Sequence, residues 1–191
     1  MSIASRAVAG GCLLALLLGT SACDAGTTAP TPPAAASSAA PGSAGFFGGT
    51  DLAWVEITIA MNEELLPLLD LAPARGEDPA LRALAAEVKA GHEQELGALR
   101  ALHDQARLPS ENPHKGMPMP GMVTPDQVTE AAATKGAAFD ELLGRHLRAH
   151  FEQGRKLAGS EEKAGVEPQT KALAAQVISS RDRFLAALSA G

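Results

Sequence analysis

The chain carries the same pattern twice, in two copies that stand 89 residues apart without a gap. The segment Arg82–Val88 returns as Lys171–Val177 with its apolar positions kept, and the same offset lays Asp51 on Asp140. Each copy is long enough for two helical stretches joined by a turn, and two such hairpins form a four-helix bundle. The repeat therefore predicts an all-α bundle built from a duplicated helical hairpin.

The apolar residues set the expected helices, because they recur at intervals of three and four. The pattern predicts four long helices and a short one. The first begins at Asp51 as its N-cap and is ended by Pro73 and Gly76. The others run from Asp78 to about Arg107, Thr124 to about Thr134, Ala137 to about Ala158, and Glu167 to near the C-terminus. Pro67 lies inside the first helix and removes one backbone hydrogen bond, so we expect a kink there. No segment alternates with the period of two that a half-buried strand requires.

The first 22 residues have the form of an export signal. Arg6 precedes an apolar run that is too short for a membrane span and ends in small residues. The stretch Thr20–Cys23 resembles a bacterial lipobox, in which the cysteine receives a lipid, and the alternative is an ordinary signal cut near Ala22. We expect an exported protein, anchored in the cell membrane through Cys23 and facing the extracytoplasmic side.

Residues 23–50 form an expected linker between that anchor and the folded domain. They are mostly Ala, Ser, Thr, Pro and Gly, a composition that cannot bury a core and predicts disorder. The bundle domain is then residues 51–190, enough for one domain with a substantial core. The only cysteines, Cys12 and Cys23, precede this domain, so no disulfide is expected to stabilise it.

The charge and aromatic content exclude several classes of function. The chain has 22 acidic and 16 basic side chains, and aromatic residues make up 3% of it with no Tyr. Binding to the phosphate backbone needs concentrated Lys and Arg, so a nucleic-acid partner is not expected. The lack of Tyr also removes radical chemistry of the kind that uses tyrosine.

Polar residues at predicted inner positions indicate a metal site, because four-helix bundles often bind metals through Glu and His of facing helices. His92 and Glu95 lie three residues apart on the second helix, and His146 and His150 lie four apart on the fourth. The predicted site uses His92, Glu95 and His150, with His146 as an optional fourth ligand. The alternatives are a hydrogen-bonded or solvated histidine pair, and an ion pair of Glu95 with Arg100 or with a neighbouring helix.

The two copies differ at these polar positions. The offset pairs His92 with Arg181, Glu95 with Phe184, His150 with Met61, and Phe151 with Asn62. A phenyl ring therefore stands where a second carboxylate would complete a symmetric site. The repeat argues against a two-metal centre.

The proline-rich loop at residues 108–123 offers a second kind of ligand. His114, Met117, Met119 and Met122 lie within nine residues and supply one imidazole and three thioethers. Thioethers are soft ligands that suit Cu(I), so copper is the candidate cofactor. The alternative is a mobile connector whose methionines only pack on the bundle.

Three segments resemble those of the bacterial family called domain of unknown function 305 (DUF305): Gly136–Asp140, Met119–Met122 and Glu95–Leu96. The resemblance covers roughly residues 51–190 and implies an exported protein with a ferritin-like four-helix bundle. Members of that family are associated with binding copper or other metals and with handling metal stress. The resemblance therefore implies the same association here.

The family's Met-Ile-x-His-His pattern occurs once in each half of its members and corresponds here to residues 58–62 and 147–151. Only one of the four expected histidines is present. Carried over residue by residue, the resemblance leaves a reduced set: His150, Glu95 and Asp140, with His92 at a position where the family tends to have Gln.

Three functions follow from these patterns. The first is a non-catalytic, lipid-anchored envelope protein that binds copper or another transition metal weakly. The second is a metal-free scaffold that acts by helix-to-helix contact with an unidentified protein partner. A metal-dependent oxidase ranks last, because neither half contains the Glu and Glu-x-x-His motifs in order.

Overall fold

The structure, a computed structural model, describes residues 45–190 and contains five helices. Their bounds are α1 Gly49–Arg75, α2 Pro79–Gln105, α3 Pro125–Ala133, α4 Ala137–Ala164 and α5 Pro168–Ala190. No strand occurs in this range. The predicted all-α fold is confirmed, and none of these helices is both long and apolar enough to span a bilayer.

The four long helices form two hairpins that pack side by side. α1 pairs with α2 and α4 with α5, while α1 also packs on α4 and α2 on α5. The order around the bundle is thus α1, α2, α5, α4, and the short α3 lies against α1 and α4. The predicted bundle of two duplicated hairpins with one extra helix is confirmed. Helices α2 and α4 face each other diagonally across the centre, as α1 and α5 do.

The apolar stripes read from the sequence form the core. Val55, Ile59, Val88 and Leu147 are each at most 6% exposed, as their positions on the predicted inner faces require. Burial of such side chains, at about 1.5–3 kcal/mol each, is the main force that holds the hairpins together. The buried apolar residues form two large clusters, one toward each end of the bundle.

The start of α1 differs from the prediction. The helix begins at Gly49 with Gly48 as its N-cap, so Asp51 is the third helical residue and not the cap. The Asp51 carboxylate instead accepts a hydrogen bond from the Gly48 backbone N–H at 2.6 Å. An acidic side chain at the third position can satisfy the open helix end as well as one at the cap.

The end of α1 agrees with the prediction at Gly76, which is the C-cap. The helix runs through Pro67 and Pro73 to Arg75, because the buried Leu69 and Ala72 keep its last turns packed on the core. The kink expected at Pro67 stays a prediction.

α4 is longer than predicted, by six residues. It continues past Ala158 to Ala164, because Ala158 and Glu161 are buried and extend its inner face. Gly165 then ends the helix.

Two aspartates connect the hairpins to each other at opposite ends of the bundle. Asp51, near the start of α1, accepts hydrogen bonds from the backbone N–H groups of Val166 at 3.0 Å and Glu167 at 3.1 Å, in the turn between α4 and α5. We call this contact the Asp51 clasp. It ties the first hairpin to the turn of the second.

The repeat mate of Asp51 makes the reciprocal contact. Asp140, near the start of α4, accepts from the backbone N–H groups of Glu77 at 3.1 Å and Asp78 at 2.8 Å, in the turn between α1 and α2. The 89-residue offset maps Glu77 and Asp78 onto Val166 and Glu167, so this Asp140 clasp is the symmetric partner of the first. Asp140, which the family resemblance implied as a site residue, therefore has a structural role.

Replacement of Asp140 by Ala should destabilise the bundle. Two backbone N–H groups lose a charged acceptor, and we expect a loss of about 2 kcal/mol in the free energy of unfolding. Urea denaturation of the wild type and the variant measures it. Asp104→Ala is the matched control, because the Asp104 side chain is 83% exposed and should change stability by less than about 0.5 kcal/mol. Equal urea midpoints for the two variants would contradict the role of the clasp.

Candidate functional site

Two histidines meet at the centre of the bundle. His92 on α2 and His150 on α4 are 0% and 1% exposed, and their Nε2 atoms lie 3.0 Å apart. The Nδ1 atom of His92 lies 2.9 Å from the carbonyl oxygen of Val88, and that of His150 lies 3.1 Å from the carbonyl oxygen of Gly121. The pair joins the two hairpins across the diagonal and also holds the loop that precedes α3.

This pair has fewer protons than hydrogen bonds. Two neutral imidazoles carry two N–H groups, whereas three contacts, two to carbonyls and one between the rings, each need one. When both Nδ1 atoms donate to carbonyls, the two Nε2 lone pairs face each other. The centre of the bundle therefore contains a buried, incompletely satisfied polar pair, which is uncommon in folded proteins.

A third proton does not relieve the pair at neutral pH. Burial lowers the pKa of His150 to about 3, with the positive charge of Arg181 adding to the effect and the Gly121 carbonyl opposing it. Burial, followed by the charges of Arg181 and His150, also holds the pKa of His92 well below its usual value, against the Val88 carbonyl. Both rings are neutral and keep lone pairs that a metal ion or a proton donor could engage.

A buried ion-pair network lies beside the histidines. Arg181 on α5 donates to both carboxylate oxygens of Glu95 on α2, at 2.8 and 3.0 Å, and the side chains are 1% and 9% exposed. Asn62 on α1 donates to Glu95 at 2.7 Å and accepts from Arg181 at 3.4 Å. Both oxygens of Glu95 are thus engaged by Arg181 and Asn62.

The repeat relates this network to an aromatic cluster on the other side of the bundle centre. The offset maps its three members onto those of the cluster: Asn62 onto Phe151, Glu95 onto Phe184, and Arg181 onto His92. Ring centroids in the cluster lie 5.2 Å apart for Phe151 and Phe184, and 6.4 and 6.5 Å from His92 to each of them. Every contact of the ion-pair network therefore has an aromatic counterpart in this cluster.

A change of volume accompanies the exchange of His for Arg. A Cβ atom on Gly154 of α4 would lie 3.2 Å from Nε of Arg181, so the long side chain passes directly over this glycine. The repeat mate of Gly154 is Leu65, which is fully buried in the half that carries the smaller His92. The second half accommodates its larger residue on α5 by a smaller one on α4.

Three methionines pack together where the loop meets α1. Met61 on α1 and Met122 are 2% and 5% exposed and belong to one cluster, against which the half-buried Met119 packs. Met117 is 47% exposed and lies outside the cluster. The loop therefore contributes two thioethers to this cluster, and α1 contributes the third.

Gly121 positions this loop against α4. Its φ is +75°, and a Cβ atom there would lie 2.6 Å from Cβ of Gln153 and 2.8 Å from the carbonyl oxygen of Ala149. Only glycine combines this conformation with so close an approach. The Gly121 carbonyl consequently reaches Nδ1 of His150, and this contact anchors the loop segment Met119–Met122 on α4.

The structure brings together some of the predicted ligands and separates others. His92 and His150 meet, but Glu95 pairs with Arg181, which is one of the alternatives for this residue. His146 is half-buried near Glu130, and burial, followed by Arg145, lowers its pKa while Glu130 opposes the shift.

The predicted set of His92, Glu95 and His150 is not assembled as a metal site. Within residues 45–190, no three His, Cys, Asp or Glu side chains come together in an arrangement that could hold an ion. Cys23 lies outside the described residues, as do the expected signal peptide and most of the linker.

Three residues of this centre were not among the predicted ligands. Met61, Asn62 and Arg181 each occupy the repeat position of a residue in or beside the histidine pair: Met61 that of His150, Asn62 that of Phe151, and Arg181 that of His92. The signal that could have found them is the repeat alignment itself. Residues at equivalent positions of a duplicated bundle converge on the same central layer.

A family model described as domain of unknown function (DUF305) matches residues 51–190. Solved structures also match. A DUF305 protein of Streptomyces coelicolor, described as secreted, has a TM-score of 0.64 at 19% identity and covers 73% of this chain and 89% of its own. A DUF305 fragment from Deinococcus radiodurans has a TM-score of 0.67 at 13% identity, covering 75% and 95%.

The third structure is CopM in its Cu(I)-bound form, with a TM-score of 0.62 at 17% identity over 74% of this chain and 94% of that one. At these identities the three structures establish a common fold. The search of curated proteins finds no significant match.

The ion-pair network gives a prediction about stability. Glu95→Leu strands the Arg181 charge in the core, and we expect a loss of about 3–5 kcal/mol in the free energy of unfolding. Adding Arg181→Met to Glu95→Leu should recover part of that loss, because the stranded charge is removed while the buried Asn62 side chain loses both of its partners. Urea denaturation compares the three proteins.

The control for this series is Arg183→Met, since the Arg183 side chain is 63% exposed and its change should be nearly neutral. A double variant no more stable than Glu95→Leu alone would show that Arg181 is not held by Glu95.

Proposed function

This chain belongs to the DUF305 family, and we propose that it is a non-catalytic binding protein for Cu(I) at the cell envelope. The observation that carries the proposal is the cluster of Met61, Met119 and Met122 beside the histidine pair. Three thioethers form a soft ligand set, which favours Cu(I) over harder divalent ions.

The environment of the cluster supports the binding of a soft cation. Met61 and Met122 are nearly inaccessible to solvent, so an ion there would be shielded from water and from oxidants. Met119 is half-buried and gives the cluster an edge toward solvent. Methionine is flexible enough for the three sulfur atoms to adjust around an ion without movement of the helices.

The histidine pair has a different part in this proposal. An ion between the two Nε2 atoms needs them about 4 Å apart, since a metal–imidazole bond is about 2.0 Å long, and they lie 3.0 Å apart. His150 acts instead through the Gly121 carbonyl, which it holds between Met119 and Met122. We assign it as a positioning residue for the loop, with His92 as its support.

The similarity to CopM is consistent with this ligand chemistry, because that protein was solved with Cu(I) bound. The non-catalytic part of the proposal rests on the central layer. An oxidase centre of this kind would need a carboxylate from each half. The oxygens of Glu95 are engaged by Arg181 and Asn62, and Phe184 occupies the second carboxylate position.

Export and lipid anchoring complete the proposal. The apolar N-terminal run and the lipobox-like Thr20–Cys23 support an exported protein with a lipid on Cys23. A similar protein of Streptomyces coelicolor is described as secreted. Mass spectrometry of the mature N-terminus tests this part on its own, since a lipidated Cys23 has a distinct mass.

A metal-free scaffold is the second candidate, and one surface favours it. An apolar groove of about 640 Å³ lies among α2, α4 and α5 and is lined by Leu81, Leu84, Ala187 and Leu188. A helix of a protein partner could lay its apolar face in such a groove.

Titration with Cu(I) against a competing chelator separates the two functions. We expect Met61→Leu and Met122→Leu each to weaken Cu(I) binding at least about tenfold, since each removes one of three thioethers. Leucine keeps the volume and apolar character of methionine, so the fold should persist. Met117→Leu is the matched control and should bind as the wild type does, because Met117 lies outside the cluster.

Two outcomes would contradict the proposal. Wild-type protein that binds Cu(I) no more tightly than about 10 µM would favour the scaffold. Loss of affinity in Met117→Leu alone would move the site to the exposed part of the loop.

A further inference from the structure

A second buried acidic residue accompanies the Asp51 clasp and has no donor. Glu161 on α4 is 0% exposed, and neither of its carboxylate oxygens has a hydrogen-bond partner that could donate to it. The chain turns directly over it, since a Cβ atom on Gly165 would collide with Oε1 of Glu161. An ionised carboxylate in this place would have lost its hydration without compensation.

The other carboxylate at this turn is also an acceptor. Asp51 accepts from the backbone N–H groups of Gly48, Val166 and Glu167, while the Glu161 carboxylate lies against Gly165 in the same turn. Two ionised carboxylates in contact repel each other strongly in a buried site. A hydrogen bond between them requires a proton, which Glu161 would donate.

The other charged groups near Glu161 and Asp51 do not supply enough positive charge to let both carboxylates ionise. Glu167, at the start of α5, adds negative charge, and its Oε2 accepts from the backbone and side chain of Thr170. Lys171 on α5 is the positive group that favours ionisation of Glu161, and it contributes less than burial and Asp51 do. The balance of charge around Glu161 is therefore negative.

We propose that Glu161 and Asp51 share one proton in the folded protein, and that loss of this proton opens the Asp51 clasp. The clasp joins the start of α1 to the turn between α4 and α5, so its opening loosens the end of the bundle at which α1 begins. This end of the bundle should therefore lose stability under alkaline conditions.

The expected protonation of the two groups agrees with this geometry. Burial, assisted by the hydrogen bond and charge of Asp51, raises the pKa of Glu161 to about 8, against the opposing effect of Lys171. Burial alone would raise the pKa of Asp51 as well, but its hydrogen bonds from Glu161, Glu167, Gly48 and Val166 hold it below the usual value. Asp51 is thus the ionised partner and Glu161 the protonated one.

The repeat supplies an internal control. The Asp140 clasp has the same geometry at the other end of the bundle, and Ala72 occupies the repeat position of Glu161 there. A clasp of this kind therefore forms with alanine at that position. Only the Asp51 clasp should respond to proton loss.

Denaturation by urea between pH 5 and pH 9 tests the shared proton. Folding raises the pKa of Glu161 from about 4.5 to about 8, so the folded state binds one more proton than the unfolded state between these values. The stability that this extra proton contributes is therefore complete below pH 4.5 and is lost as the pH rises through 8. The unfolding equilibrium constant of the wild type should rise by at most about tenfold per pH unit in that window.

Two variants of Glu161 isolate the effect. Glu161→Gln can donate an N–H to Asp51 without titrating. Glu161→Ala introduces the same residue that the Asp140 clasp has at the equivalent position, Ala72. Both should lack the extra loss of stability between pH 5 and pH 8. If the wild type and the folded variants show the same dependence on pH, the shared proton is excluded. Glu161→Ala keeps this test valid should Glu161→Gln fail to fold.

Hydrogen exchange of the full chain tests the opening itself. After correction for intrinsic rates, the amides of Val166 and Glu167 should lose protection above pH 8, while those of Glu77 and Asp78 keep theirs. In Glu161→Ala, the amides at both ends should behave alike. Equal loss of protection at both clasps in the wild type would overturn the proposal.

Discussion

The structure depends on the way in which each hairpin holds the turn of the other. Asp51 and Asp140 each accept backbone hydrogen bonds from the opposite hairpin, at opposite ends of the bundle. Apolar packing brings the four helices together but tolerates sliding along the helix axis, whereas hydrogen bonds to particular N–H groups do not. The clasps thus fix the relative height of the hairpins, and that height decides which residues meet in the central layer.

The central layer shows how far one backbone can diverge between its two halves. One half places Asn62 and Glu95 opposite an arginine, and the other places two phenyl rings against His92. Each arrangement is consistent within itself, because the charges are paired and the rings are stacked among apolar atoms. The histidine pair is the exception. It lies where the halves meet, and its partners come from both.

The sequence predicted the fold well and the central layer only in part. The repeat and its apolar stripes predicted both hairpins, because burial is periodic and periodicity is visible in a single sequence. An ion pair of Glu95 with a neighbouring helix was one of the predicted alternatives, but Arg181 could not be named as the partner, since that requires knowing which helix lies beside α2 and at what height. Met61 was recognised as the repeat mate of His150, and it belongs to a methionine cluster with a loop distant in sequence. Met117, Met119 and Met122 look equivalent in sequence, and only the course of the loop distinguishes them.

The glycine beneath Arg181 has an evolutionary consequence. Gly154 and Arg181 occupy space that Leu65 and His92 share in the other half. Restoring leucine first would force it into the guanidinium side chain, and restoring histidine first would leave an empty volume and an unpaired carboxylate. Neither single step back toward symmetry is neutral, although both together could be. A symmetric central layer is therefore accessible from this sequence through a paired change at positions 154 and 181, whereas each single change toward it costs stability.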